Sequence, residues 1–176
     1  MALILAIETT TKNCSVALFN KGILLQLKEE YSDRYSHSEN LTLFINEVLI
    51  KENSSINQLD AIAVSKGPGS YTGLRIGTST AKGLCYALEI PLIAIDALTC
   101  LSEIAKEFHP NSTLCPVIDA RRMEVYNLFC DENGTILKEI SADIIDENSY
   151  SEFEPFVYFG DGADKLQEIW KDKNCR

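Results

Sequence analysis

The segment Gly67-Pro68-Gly69-Ser70-Tyr71-Thr72-Gly73 is the part of this sequence best suited to hold a ligand. Gly67 and Gly69 permit tight backbone conformations, and Pro68 fixes the turn between them. Ser70, Thr72 and Gly73 then fall where a helix begins and unpaired N–H groups point outward, a place that suits phosphate or another anion. No Gly-Lys-Ser/Thr follows, so this is not a Walker loop. The same spacing also serves as a strand-to-helix turn that lets two elements pack closely, and on spacing alone that is the favoured reading. A second candidate is Glu8-Thr9-Thr10-Thr11. An acidic residue and hydroxyls at the end of a buried strand could orient a metal-bound phosphate, or the hydroxyls could satisfy local backbone groups. Asp119 ends a later apolar run in the same way. Lys66, Arg75, Arg121 and Arg122 stand near these turns, where solvated surface charge is the ordinary use of a cation.

Other chemistries find little support. The two histidines, His37 and His109, are far apart, and neither belongs to a His-x-x-x-His or His-Glu-x-x-His pattern. His37 beside a helix cap and His109 before a proline both read as surface residues, and no metal site is expected. Ser65 and Ser70 lack an evident histidine partner for a hydrolase triad. The 176 residues carry a net charge of −10. Such a chain repels phosphate backbones and gains no counterion-release affinity for nucleic acid by itself. The apolar start has no basic leader and is ended by Glu8, unlike a signal peptide. No segment approaches the ~20 apolar residues of a membrane span. Six cysteines without C-x-x-C spacing read as reduced core thiols of a cytoplasmic protein.

These candidates need elements to position them. Residues 3–7 form a continuous apolar run, as in a strand buried on both faces. Residues 14–19 and 23–27 flank the turn Asn20-Lys21-Gly22, a hairpin signal. Ser36-His37-Ser38-Glu39 reads as a capping box. It precedes Leu41, Phe44, Ile45 and Val48 at helical spacing, while Leu43, Leu49 and Ile50 widen the apolar arc. A strand over 60–65 leads into the glycine loop and a helix from about 74 to 88. A strand over 91–95 and a helix over 98–108 follow. His109-Pro110-Asn111-Ser112 reads as the seam between an N-terminal lobe, 1–109, and a C-terminal lobe, 110–176. The second lobe has strands over 114–118, 124–130, 135–140 and 156–159. Gly160-Asp161-Gly162-Ala163 then opens a helix bearing Leu166, Ile169 and Trp170. The halves rhyme: apolar strand, acidic residue, polar turn, strand, turn ending in glycine, strand. That pattern fits duplication, and it also recurs by chance in α/β folds.

Residues 4–10 with 14–18, and the long run from Gly67 to Gly77, closely resemble the TsaB (YeaZ) family. Asp119-Ala120-Arg121-Arg122-Met123-Glu124-Val125-Tyr126 and Gly160-Asp161-Gly162-Ala163 fit in the same order, so the resemblance covers essentially the whole chain. It implies an α/β fold of two actin-like (ribonuclease H-like) lobes, mixed sheets flanked by helices. It also implies an accessory rather than catalytic role, with no cofactor. In this family the chain pairs with TsaD, which transfers a threonylcarbamoyl group to the adenosine beside the anticodon of tRNA, and with TsaE, a small ATPase. The tRNA would be met only indirectly. The family's contact helices match residues 39–50 and 74–88. The implied interface is Leu41, Phe44, Ile45 and Val48 on the first, with Leu74, Ile76, Thr80, Leu84 and Leu88 on the second. A homodimer can use the same surface. Glu8, Thr9, Thr10, Gly67, Gly69, Ser70, Thr72, Gly73 and Asp119 would be a vestigial nucleotide or anion site. The family more usually has aspartate at the position of Glu8 and continues further, so an abbreviated second lobe is expected. A small-molecule kinase of the same superfold, or a peptidase, are the competing functions.

Overall fold

A computed structural model of the chain describes residues 2–32, 36–171, 173 and 175. The chain divides into two compact units, residues 1–96 and 97–176. In the first unit β1 (Leu3–Glu8), β2 (Asn13–Asn20), β3 (Ile23–Tyr31), β4 (Ala61–Ser65) and β5 (Leu92–Ile95) form one sheet in the order β3-β2-β1-β4-β5. The β1–β2 and β2–β3 pairs are antiparallel, and β1–β4 and β4–β5 are parallel. Parallel neighbours require crossovers, supplied by helices α1 (His37–Lys51) and α2 (Tyr71–Leu88).

Both helices cover one face of that sheet. Leu5, Ile7, Cys14, Val16, Leu18, Ile62 and Val64 point into a core completed by α1 and by Ala81 and Cys85 of α2. Burial pushes the Cys14 thiol up to about 11, with Glu30 and Glu8 adding to the effect. It behaves as a small core residue, not a nucleophile. The capping box expected at Ser36 does not form. Ser36 is the N-cap of α1, but its hydroxyl makes no capping bond and instead accepts from Asn40 Nδ2 at 3.1 Å. A capping box does form at Ser55–Gln58, ahead of the short 3-10 turn Ile56–Gln58.

In the second unit β6 (Thr113–Asp119), β7 (Glu124–Cys130), β8 (Ile136–Ile144) and β9 (Phe156–Phe159) are ordered β8-β7-β6-β9. β6–β7 and β7–β8 are antiparallel, and β6–β9 is parallel. This repeats the order and sense of β3-β2-β1-β4, so the rhyme between the halves is a repeat of topology as well as of pattern. Helix α3 (Ala97–Phe108) packs on this second sheet: Ala97, Leu98 and Ala105 share a core with Leu114, Ile118, Leu128 and Val157. The seam therefore lies between Asp96 and Ala97 rather than at His109-Pro110, because the apolar stripe of α3 is buried by the strands that follow it. Both units are mixed, helix-flanked α/β sheets of the actin-like (ribonuclease H-like) kind, the second with four strands to the first's five.

The opposite face of the second sheet is closed by an aromatic cluster. Trp170 packs edge-on against Tyr150, Phe156 and Tyr158, and its Nε1 donates to the Asp146 carbonyl at 3.1 Å. The α-helix expected after Gly160 is absent among the described residues. A 3-10 turn, Asp164–Leu166, stands there instead, followed by a single α-type bond from Trp170 N to the Leu166 carbonyl at 2.9 Å.

Beside that cluster Asp143 accepts from Tyr150 Oη (2.5 Å), Lys138 Nζ (2.8 Å), Ser141 Oγ (2.8 Å) and Asn127 Nδ2 (3.0 Å). Burial raises the Asp143 carboxyl, but Lys138 and the three neutral donors outweigh it and hold the group well below the ordinary carboxylate range. A depressed folded value stabilises the fold above the unfolded value of about 3.9, and the contribution is lost as pH falls through the folded value. Asp143→Asn is therefore expected to cost about 2 kcal/mol at pH 7. The difference from the native chain should shrink below about pH 4 in denaturation curves measured across pH.

Candidate functional site

The glycine loop and the threonine turn meet in the first unit, and they meet each other. Ser70 N donates to the Thr10 carbonyl at 2.6 Å, and Thr9 Oγ1 donates to the Gly73 carbonyl at 2.9 Å. Ser70 caps α2, its hydroxyl accepting from Gly73 N at 3.2 Å. Gly67 has φ 101 and Gly69 φ 152, which disfavour any residue with a Cβ. The glycines also make room. A Cβ on Gly69 would lie 2.7 Å from Thr10 Cβ, and one on Gly73 would overlap the Thr9 carbonyl oxygen and sit 3.2 Å from its carbon. One on Gly77 would meet Thr9 Oγ1.

Thr9 and Thr10 are almost fully buried, at 1% and 2% exposure, and Gly67 and Gly73 are buried too. The loop is thus packed against protein atoms, and the Ser70 and Gly73 N–H groups are already satisfied. The threonine turn takes up the space beside the glycines. Of the two readings left open by the spacing, close packing is the one the geometry supports. Thr72 is exposed on the first turn of α2, and Glu8 turns back locally, accepting from Thr10 N at 2.5 Å. His37, expected at the surface, is 1% exposed with Nε2 2.8 Å from the Thr11 carbonyl. The close approach of α1 and α2 to the threonine turn encloses it.

Asp119 lies apart from that loop in sequence and unit, at the end of β6. Burial raises its carboxyl, but Lys165 and the Arg121 N–H overcome this and hold it below the ordinary range. The Gly160-Asp161-Gly162 loop folds onto the same strand end, with Gly162 N donating to the Val117 carbonyl at 3.2 Å. Asp161 accepts from Asp119 N at 3.0 Å. Lys165 was not legible from the sequence, because nothing in its spacing links it to Asp119. Among the described residues no group of three or more His, Cys, Asp or Glu side chains converges as metal ligands would, and no helix is long and apolar enough to cross a membrane.

The expected interface residues divide into two groups by exposure. Leu41, Phe44, Ile45 and Val48 are 1–5% exposed and belong to the unit's own core. Leu74, Ile76, Thr80, Leu84 and Leu88 are half-buried, with Ile76 and Leu84 packed on that core. The reason is the composition of α2's inner face. Gly73, Gly77, Ala81 and Cys85, four apart, are its buried residues. Small residues let the helix lie close to the sheet, so the larger apolar ones flank the contact. The outward stripe is Tyr71, Arg75, Ser79, Lys82 and Tyr86, all on one face by helical spacing. Tyr71 is 74% exposed and Tyr86 88%. On α1, Leu43 and Ile50 are 61% and 72% exposed.

Residues 31–168 match the family model described as TsaD: tRNA N6-adenosine threonylcarbamoyltransferase. The tRNA threonylcarbamoyladenosine biosynthesis protein TsaB of Buchnera aphidicola subsp. Baizongia pistaciae is 30% identical over 93% of this chain and 76% of its own length. The chain belongs to the TsaB (YeaZ) family. The TsaB protein of Haemophilus influenzae is 37% identical over 70% of the chain, a match that spans 51% of that relative. The YeaZ structure from Pseudomonas aeruginosa superposes with a TM-score of 0.84 at 25% identity, covering 99% of this chain and 83% of that one. In this chain the glycine motif packs against the threonine turn, and exposed apolar or aromatic side chains lie on both helices of the first unit, Leu43 and Ile50 on α1 and Tyr71 and Tyr86 on α2.

Proposed function

We propose that this chain is a cytoplasmic, non-catalytic scaffold and activator that pairs with a TsaD-type catalytic subunit. With a TsaE-type ATPase, the pair supports threonylcarbamoylation of the adenosine next to the tRNA anticodon. The observation that carries the reading is the outward stripe of α2. Two exposed tyrosines and two cations lie on a helix without one acidic residue, in a chain of net charge −10. Large exposed aromatics on a rigid element are what interface anchors consist of. The Arg75 guanidinium lies over the Tyr71 ring at 5.5 Å, which holds both side chains in place. A homodimer through the same helices would compete for this face.

The absence of a catalytic role has separate support. The glycine loop is filled by Thr9 and Thr10, which disfavours the kinase alternative, and Asp119 is engaged by Lys165. The acidic charge leaves contact with tRNA to the partner. The test is threonylcarbamoyl transfer in a reconstituted mixture. The chain alone is expected to transfer nothing, and adding it to the TsaD-type subunit should raise that subunit's rate. Transfer by the purified chain alone would overturn the reading.

A further inference from the structure

The second unit holds a cation supplied by its own sequence. Lys165 Nζ donates to the Asp119 carboxylate, to the Arg122 carbonyl at 3.0 Å and to the Glu124 carbonyl at 2.6 Å. Its side chain is 21% exposed. An ammonium has three N–H donors, and here each has an oxygen acceptor. Carboxylate and carbonyl oxygens are also the donors that hard divalent cations take. The acceptors come from the end of β6 and the turn into β7, whereas Lys165 arrives from the turn after β9, more than forty residues away. The β6–β7 turn is itself strained: Arg121 and Arg122 have φ 74 and 47, a left-handed conformation that L-residues adopt at a cost. Lys165 grips carbonyls within and after this turn, and Asp119 accepts from Arg121 N at 2.9 Å.

We propose that Lys165 is a built-in cation at Asp119, its ammonium occupying the oxygen pocket that a divalent metal would otherwise take. The unit is thereby closed to metal-bound ligands at this strand end, and the turn is held in one shape without any ion from solution. The proposal concerns this pocket alone and stands or falls independently of the partner-subunit reading, which is tested by association.

Manganese titration, with free ion followed by its paramagnetic resonance signal, tests it. The native chain should show no saturable binding into the millimolar range. Lys165→Ala should gain one site with a dissociation constant of about 1 mM or tighter, as sparse oxygen sites have. Adding Asp119→Asn to that variant should abolish the gain. Native binding as tight as that of Lys165→Ala would overturn the proposal, and so would a folded Lys165→Ala chain that gains nothing. Amine labelling of the native chain, read by mass spectrometry, needs no variant and holds if Lys165→Ala fails to fold. Lys165 should react several-fold more slowly than the exposed Lys21 and Lys82. Equal rates would mean that the ammonium is not held.

Discussion

Gly73→Ala is expected to destabilise the chain by about 3 kcal/mol, the upper end of what overpacking costs. Gly73 lies on α2 where the helix meets the threonine turn, and an added methyl would overlap the Thr9 carbonyl oxygen. That carbonyl belongs to backbone at the end of β1, the strand paired on both sides at the centre of the sheet. Neither the helix nor the strand can retreat without opening the core. Gly83→Ala, on the same helix, is the control. Nothing lies within 4 Å of its added methyl, so it should stabilise by about 0.5–1 kcal/mol through helix propensity. Denaturant midpoints read both. Equal effects at the two positions would mean that the glycine motif does not serve close packing.

The second large effect concerns association. Tyr86→Asp or Tyr71→Asp should weaken binding to a TsaD-type subunit by about 2 kcal/mol or more, about thirtyfold, and leave the melting temperature near native. Both side chains lie outside the core, so a charge there costs the fold little. Phe44→Asp should do the opposite. Phe44 is 5% exposed inside the first unit's core, and an unpaired carboxylate there should unfold the unit. Calorimetric titration paired with thermal melts separates the two outcomes. Native-like binding by Tyr86→Asp would place the contact elsewhere.

Much of the fold was legible in the sequence. The buried strands are short apolar runs bounded by turn residues, Leu114 to Ile118 among them. The hairpin turns were marked in the sequence by Gly22 and Gly134, which adopt φ 77 and 85 there. Less legible was the direction each helix faces. Leu41, Phe44, Ile45 and Val48 satisfy the core pattern and are core. On α2 the apolar pattern does not mark the inner face, because Gly73, Gly77, Ala81 and Cys85 line it and no hydrophobicity count weights glycine. Their four-residue spacing was the available signal. The glycine loop identified the family correctly, yet its anion-binding reading depended on who would fill the space, and Thr9 and Thr10 are distant in sequence. Lys165 had no local signature at all, since a lysine after a turn is ordinarily solvated. The boundary between the units was misplaced for a related reason. Pro110 breaks the chain after α3, but the sheet that buries α3 is formed by residues beyond that break.

The central claim is that this chain acts by pairing through the outer face of α2. Light scattering on a size-exclusion column tests it most directly, with the chain run alone and then mixed with the TsaD-type subunit of the same organism. A complex holding both chains is predicted, formed by the native protein and lost with Tyr71→Asp/Tyr86→Asp. Separate elution of two unassociated species at micromolar concentration, with both proteins folded, would contradict it.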